Sequence, residues 1–268
     1  MKILNPEGWY HSPKYWSGVK AGNLITTAGC VAKRPDGSVF APGDTSRQAE
    51  HIMECLKAVL AEGGATLGDV VKATTYYIDN IDWPEIHEIQ QHHMGDHYPP
   101  HTGIKVENLG SSDIKLEIEM MAVVHSTNAD SSKEEMSMKP RSLNPADIYN
   151  SPRYYSGIRS GNLIFTAGRT PLDHNGEVVA PNDAATQTEH IMTDLGEILA
   201  EGGARLQDVV FVHTYFLHTA DMPKIHEVRQ RFFGDHYPPH TGTKKVDDDW
   251  ERRGILVEIE VVAVVTEV

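Results

Sequence analysis

The sequence predicts an α+β protein made of two tandem copies of one domain, each a mixed β-sheet with two helices packed on one face. Three observations carry this. Gly95-Asp96-His97-Tyr98-Pro99-Pro100-His101-Thr102-Gly103 returns unchanged as Gly234 to Gly242, which marks a duplication. Each copy interleaves β-branched runs with two helical patterns, in the order β-β-α-β-α-β-β. Each copy closes on a strand whose acids alternate with apolar residues, so one face meets a core and the other does not.

The copies align with a shift of 139 residues from Asn5/Asn144 to Gly103/Gly242, after which the second gains two residues. The expected domains are 1–125 and 143–268. Residues 126–142, without periodicity and poor in apolar side chains, read as a flexible linker.

Taken in order, Gly22-Asn23 and Gly161-Asn162 open a short apolar strand that Gly29 or Gly168 ends. Asp36-Gly37 and Asn175-Gly176 are hairpin turns. Asp44 and Asp183 can cap the next helix, in which Ala49, Ile52, Met53, Leu56, Val59 and Leu60 form one apolar stripe. Its counterpart carries Ile191, Leu195, Ile198 and Leu199, and Gly63-Gly64 and Gly202-Gly203 end the two helices. Residues 69–78 and 208–217 are strands rich in β-branched and aromatic side chains. Pro84 and Pro223 sit in the first turn of a second helix, which stops at Gly95 or Gly234. The Pro-Pro turn then delivers His101 and His240 to the start of a short strand. Residues 115–124 and 256–265 form the closing strands.

The net charge of −14 argues against a nucleic-acid backbone or an anionic membrane as partner. The two cysteines, Cys30 and Cys55, face Arg169 and Asp194 in the second copy, which is no disulfide framework. Without an apolar stretch after Lys2, no signal peptide is expected, and no apolar run approaches the roughly 18 residues of a membrane span. A cytoplasmic location is the simplest expectation.

These residues resemble the reactive intermediate deaminase family, the RidA or YjgF-type proteins. The likeness rests on Tyr-x-x-Gly before the first strand, Gly-Asn-Leu-Ile-x-Thr-Ala-Gly, the helix–Gly-Gly–strand order, and the final Glu-Ile-Glu-x-x-Ala-Val strand, all present twice. The resemblance implies a chorismate-mutase-like fold, trimers with sites between subunits, and hydrolysis of enamines or imines with release of ammonia. Carried onto this chain, the family's tyrosine matches Tyr15 and Tyr154 and its substrate-binding glycine matches Gly29 and Gly168. The water-positioning glutamate matches Glu117 and Glu258. The carboxylate-binding arginine is replaced by His101 and His240, and the helix asparagine of the pocket falls on His87 and His226. Arginine grips a carboxylate bidentately, whereas histidine titrates near neutrality with one or two donors. Arg169 is then a candidate cationic anchor in the second copy alone.

The expected reaction is hydrolytic deamination of a 2-aminomuconate-like or other catabolic enamine or imine, with Glu117 or Glu258 orienting water and histidine assisting. Because C=N hydrolysis is intrinsically facile, no cofactor is expected. His87, His97, His101 and Asp96 supply enough ligands for zinc but at no recognised spacing, and no metal is expected. The alternatives are hydrolysis of a lactam or lactone in the same pocket, and a non-catalytic small-molecule-binding or chaperone-like module. If single-domain relatives form three-domain rings, three chains of two domains complete two rings, so a homotrimer with a pseudo-hexameric domain arrangement is expected.

Overall fold

The computed structural model describes residues 1–124 and 140–265. The chain divides into two compact units, Met1–Lys139 and Pro140–Val268. The first contains β1 (Lys2–Leu4), β2 (Gly18–Ala21), β3 (Leu24–Thr27), β4 (Cys30–Val31), α1 (Thr45–Glu62), β5 (Val70–Tyr77), α2 (Trp83–Met94), β6 (His101–Lys105) and β7 (Leu116–Val123). Its sheet runs β1-β2-β3-β7-β5-β6, with β4 also paired to β7. The second contains β8 (Arg141–Leu143), β9 (Gly157–Ser160), β10 (Leu163–Thr166), α3 (Ala184–Glu201), β11 (Val209–Phe216), α4 (Met222–Phe233), β12 (His240–Lys244), α5 (Asp248–Arg253) and β13 (Val257–Val264). Its sheet runs β12-β11-β13-β10-β9-β8. Only β5–β6 and β11–β12 pair in parallel, so both sheets are mixed and the fold is α+β.

Local chemistry accounts for the elements. Asp44 accepts a hydrogen bond from the Arg47 amide at 3.1 Å, and Asp183 accepts from Ala185 and Thr186, which satisfies first-turn donors of α1 and α3. The α1 stripe Ala49, Ile52, Met53, Leu56, Val59 and Leu60 is buried in one core with Ile25, Ile118, Met120 and Ala122 of the sheet. Each fully buried aliphatic side chain of this kind contributes about 1.5–3 kcal/mol. Gly64 and Gly203 take φ of 78° and 82° just past the helices, a conformation that costs glycine little.

Two features differ from the sequence reading. Arg141 and Ser142, placed at the end of the linker, pair with Arg159 and Ile158 in β8–β9. They repeat Lys2 and Ile3, which pair with Lys20 and Val19 in β1–β2. Here backbone pairing at a sheet edge outweighs a polar composition. Residues 126–139 of that linker lie outside the described residues. Helix α5 was not expected. Asp247 caps its first turn and Gly254 closes it at φ 70°.

Candidate active site

Strand register sorts the site residues between two faces of each sheet. Ala73 pairs with His101 and Met120, and Thr75 pairs with Gly103 and Ile118. Paired residues share a face, and Ile118 and Met120 belong to the core beneath the helices. Tyr76 pairs with Glu117, one residue out of phase, so Glu117 projects from the opposite face. The second unit repeats this, with Val212 paired to His240 and Val261, and Tyr215 paired to Glu258. Within one unit, then, Glu117 and His101 are not brought together, nor are Glu258 and His240.

The glutamates are seated on the glycines. A Cβ built on Gly29 falls 1.7 Å from Oε1 of Glu117, and one on Gly168 falls 2.0 Å from Oε1 of Glu258. Glycine is therefore what lets each carboxylate lie there. Tyr15, Gly29, Cys30 and Lys33 line one cavity of about 40 Å³. Burial pushes the Glu117 carboxyl up from its ordinary value, and the charge of Lys33 partly opposes that shift. In the second unit Lys245 Nζ lies 3.2 Å from Glu258 Oε2, both side chains buried, and 3.7 Å from the centre of the Trp250 ring. Burial, and next the Glu258 charge, push the Tyr154 hydroxyl up.

Arg169 belongs to that neighbourhood but is turned inward. Its Nη2 meets Asp194 Oδ2 at 2.5 Å, and its Nη1 donates to the Tyr149 carbonyl at 2.8 Å. With Arg169 and Asp194 only 4% and 3% exposed, the guanidinium is committed to a buried ion pair. It is not offered as the substrate anchor that the sequence suggested.

The histidines form a second group under α2 and α4. His101 Nε2 lies 2.9 Å from Thr75 Oγ1, which also accepts from Gln90 at 2.8 Å. The His87 ring stands edge-on to His101 at 4.8 Å, and Trp83 stacks on His101 at 5.4 Å. Burial, reinforced by His87 and Lys72, holds His101 well below the ordinary histidine range. In the second unit His226 stands edge-on to His240 at 5.1 Å, and Arg229 replaces Gln90 in donating to Thr214. Burial and Arg229 lower His240 to about 4, and the same two causes lower His226. His101, His226 and His240 are thus neutral at neutral pH.

Sequence reading missed Lys33, which has Leu172 at its repeat position, and Lys245, which stands where the first copy has Val106. Absence from one copy was the available signal. It also missed His213, whose Nδ1 lies 3.2 Å from the Tyr215 hydroxyl, itself 3.2 Å from Glu260. Tyr76 reaches Glu119 at 3.4 Å in the first unit, so these second acids serve cross-strand contacts. Among the described residues no three His, Cys, Asp or Glu side chains converge as a metal-ligand set.

Fold and site together define a duplicated α+β domain in which a strand carboxylate rests on a glycine at the end of a neighbouring strand. Residues 10–124 and 146–265 match the family described as Endoribonuclease L-PSP, and the chain belongs to that family, the one that includes the RidA and YjgF-type proteins. Relatives include a RutC family protein of Pyrococcus abyssi, 33% identical over 108 residues, covering 40% of this chain and 84% of that protein. The 3-aminoacrylate deaminase RutC of Acinetobacter baylyi is 35% identical over 85 residues, covering 32% and 68%. The 2-iminobutanoate/2-iminopropanoate deaminase of Escherichia coli is 32% identical over 113 residues, covering 41% and 86%. Among solved structures, Escherichia coli TdcF with bound serine is 30% identical, covers 46% of this chain and 99% of its own, and has a TM-score of 0.42. Among the described residues no helix is long and apolar enough to cross a membrane.

Proposed function

We propose that the chain is a hydrolytic deaminase of enamines or imines, with Glu117 and Glu258 as the groups that orient and deprotonate the attacking water. The observation that carries this reading is the carboxylate seated on Gly29, and again on Gly168. A raised carboxyl such as Glu117 is a stronger base than a solvated one. Water held by it adds to the C=N carbon of the imine, which an enamine becomes by taking a proton at carbon. The carboxylate accepts the water proton and returns it to the nitrogen, and the C–N bond of the carbinolamine breaks as its hydroxyl loses a proton, leaving a carbonyl and ammonia. The names of the relatives from Acinetobacter baylyi and Escherichia coli support the same class of reaction.

In this reading His101 and His240, kept neutral by burial, hold a substrate carbonyl or acid through an imidazole N–H and are not the acid of the reaction. Neither lies on the face of its own unit's glutamate, so one substrate touches both only where a histidine of one domain copy meets a glutamate of another. The histidines sit on β6 and β12, the edge strands, where a neighbouring chain can approach. This is the physical reason to propose an assembly of three chains with substrate held between domain copies. The natural substrate would be a small catabolic enamine of the 2-aminomuconate kind, handled in the cytoplasm.

The test is ammonia release from freshly generated enamines and imines, run beside lactam and lactone substrates. Acceleration of the first set alone supports the proposal. Opening of the rings without ammonia release replaces it with ring hydrolysis, and no turnover of either set points to a binding module. Light scattering should give three times the mass of the chain; a monomer would remove the assembly.

A further inference from the structure

Cys30 and Cys55 are the only cysteines of the chain, and both are free. They meet from β4 and α1 on the wall of the cavity that Tyr15, Gly29 and Lys33 share. They stand close enough for each thiol to alter the acidity of the other. The second unit gives independent evidence that these two positions face each other. A shift of 139 residues carries Cys30 to 169 and Cys55 to 194, where Arg169 and Asp194 touch at 2.5 Å. One copy of the fold fills this contact with an ion pair and the other with two sulfurs. The deamination proposed above uses neither thiol.

We propose that Cys30 and Cys55 form a peroxide-responsive dithiol that closes to a disulfide in the wall of the cavity lined by Tyr15, Gly29 and Lys33. The Cys55 sulfur attacks one oxygen of hydrogen peroxide. The O–O bond breaks, and the departing hydroxide takes up a proton to become water, leaving Cys55 as a sulfenic acid. The Cys30 sulfur then attacks the Cys55 sulfur. The S–O bond breaks, and hydroxide leaves with the Cys30 proton as a second water. The two thiols lose two electrons in all, and the peroxide gains them.

The order of attack follows from the surroundings. The Cys30 thiol beside it lowers Cys55 against the opposing effect of burial, so Cys55 is the readier thiolate. The Cys55 thiol, together with burial and the Glu117 charge, raises Cys30, which suits it to resolve the sulfenic acid. Cys55 is buried while Cys30 is half-buried, so a small oxidant reaches the pair through the cavity more readily than a protein thiol does. The second unit, with Arg169 and Asp194 at these positions, has no such response.

The experiment treats the reduced full chain with graded hydrogen peroxide and follows intact mass and non-reducing peptide maps. The expected product is lighter by the two thiol hydrogens, carries a Cys30–Cys55 cross-linked peptide, and returns to the starting mass with a dithiol reductant. Cys30→Ser and Cys55→Ser, each keeping one thiol, should instead gain oxygen or join chain to chain. Wild-type protein that gains oxygen on either sulfur without passing through the lighter species, or that cross-links only between chains, overturns the proposal.

Discussion

Replacing Asp194 with alanine strands a buried guanidinium. Arg169 and Asp194 are 4% and 3% exposed and in contact at 2.5 Å. After the change Arg169 keeps the Tyr149 carbonyl and the Ser156 hydroxyl but has lost the carboxylate. Breaking a buried pair by removing one partner costs about 3–5 kcal/mol. The two neutral acceptors place this case near the lower end, about 3 kcal/mol. The double change Arg169→Cys/Asp194→Cys installs the residues that the first unit holds at the same contact. It removes both charges together, so its cost is that of lost volume and of the neutral bonds to Tyr149 and Ser156, about 1–2 kcal/mol. The double variant should therefore be more stable than the single one, by more than about 1 kcal/mol, although it carries more substitutions. Because two units need not unfold together, the assay is hydrogen exchange across α3 read by mass spectrometry in increasing urea, which reports the second unit alone. Equal losses in the two variants, or a single variant within about 0.5 kcal/mol of wild type, would refute the reasoning.

Three other expectations follow from the geometry. Gly29→Ala and Gly168→Ala each put a methyl where a carboxylate oxygen lies, so each should cut turnover at its own site by about 100-fold, as loss of the base would, and steady-state kinetics checks this. Lys33 holds down part of the rise in Glu117, so Lys33→Met should move the acid limb of the pH–rate profile to higher pH; an unmoved limb contradicts the assigned contact. His240 falls from an ordinary 6.5 to about 4 on folding, which means the fold favours the neutral ring. Its contribution is whole above about pH 6.5 and is lost as pH falls toward 4, so the urea midpoint of the second unit should drop over that window and drop less in His240→Gln.

Much of the fold was legible because local signals agreed with one another. The α1 stripe, the Asp44 and Asp183 caps and the paired glycines after α1 and α3 each fixed an element without tertiary information. Helix α5 carried equally plain signals, Asp247 before it and Gly254 after it, but only one copy has it, so the repeat supplied no second instance of the pattern. The Glu117–Gly29 contact could be expected only from the resemblance, since no local rule says that two strands will set that carboxylate over that glycine. The separation of His101 from Glu117 was out of reach for a different reason. It depends on the register of β5, β6 and β7, where one residue of slip exchanges the faces. Arg169 looked like a substrate anchor because its partner, Asp194, lies 25 residues along the chain. Yet the exchange of Cys30/Cys55 for Arg169/Asp194 was already visible as a paired change between the copies.

The most direct measurement is ammonia release from a freshly generated enamine by wild type, Glu117→Gln, Glu258→Gln and the double variant. Each glutamine keeps the shape over its glycine and removes the base. The single variants should retain the turnover of the site left intact. The double variant should fall by about 100-fold or more, toward the rate of buffer alone, with its urea midpoint preserved. Turnover in the folded double variant equal to that of wild type would show that the carboxylates seated on Gly29 and Gly168 do not carry the reaction.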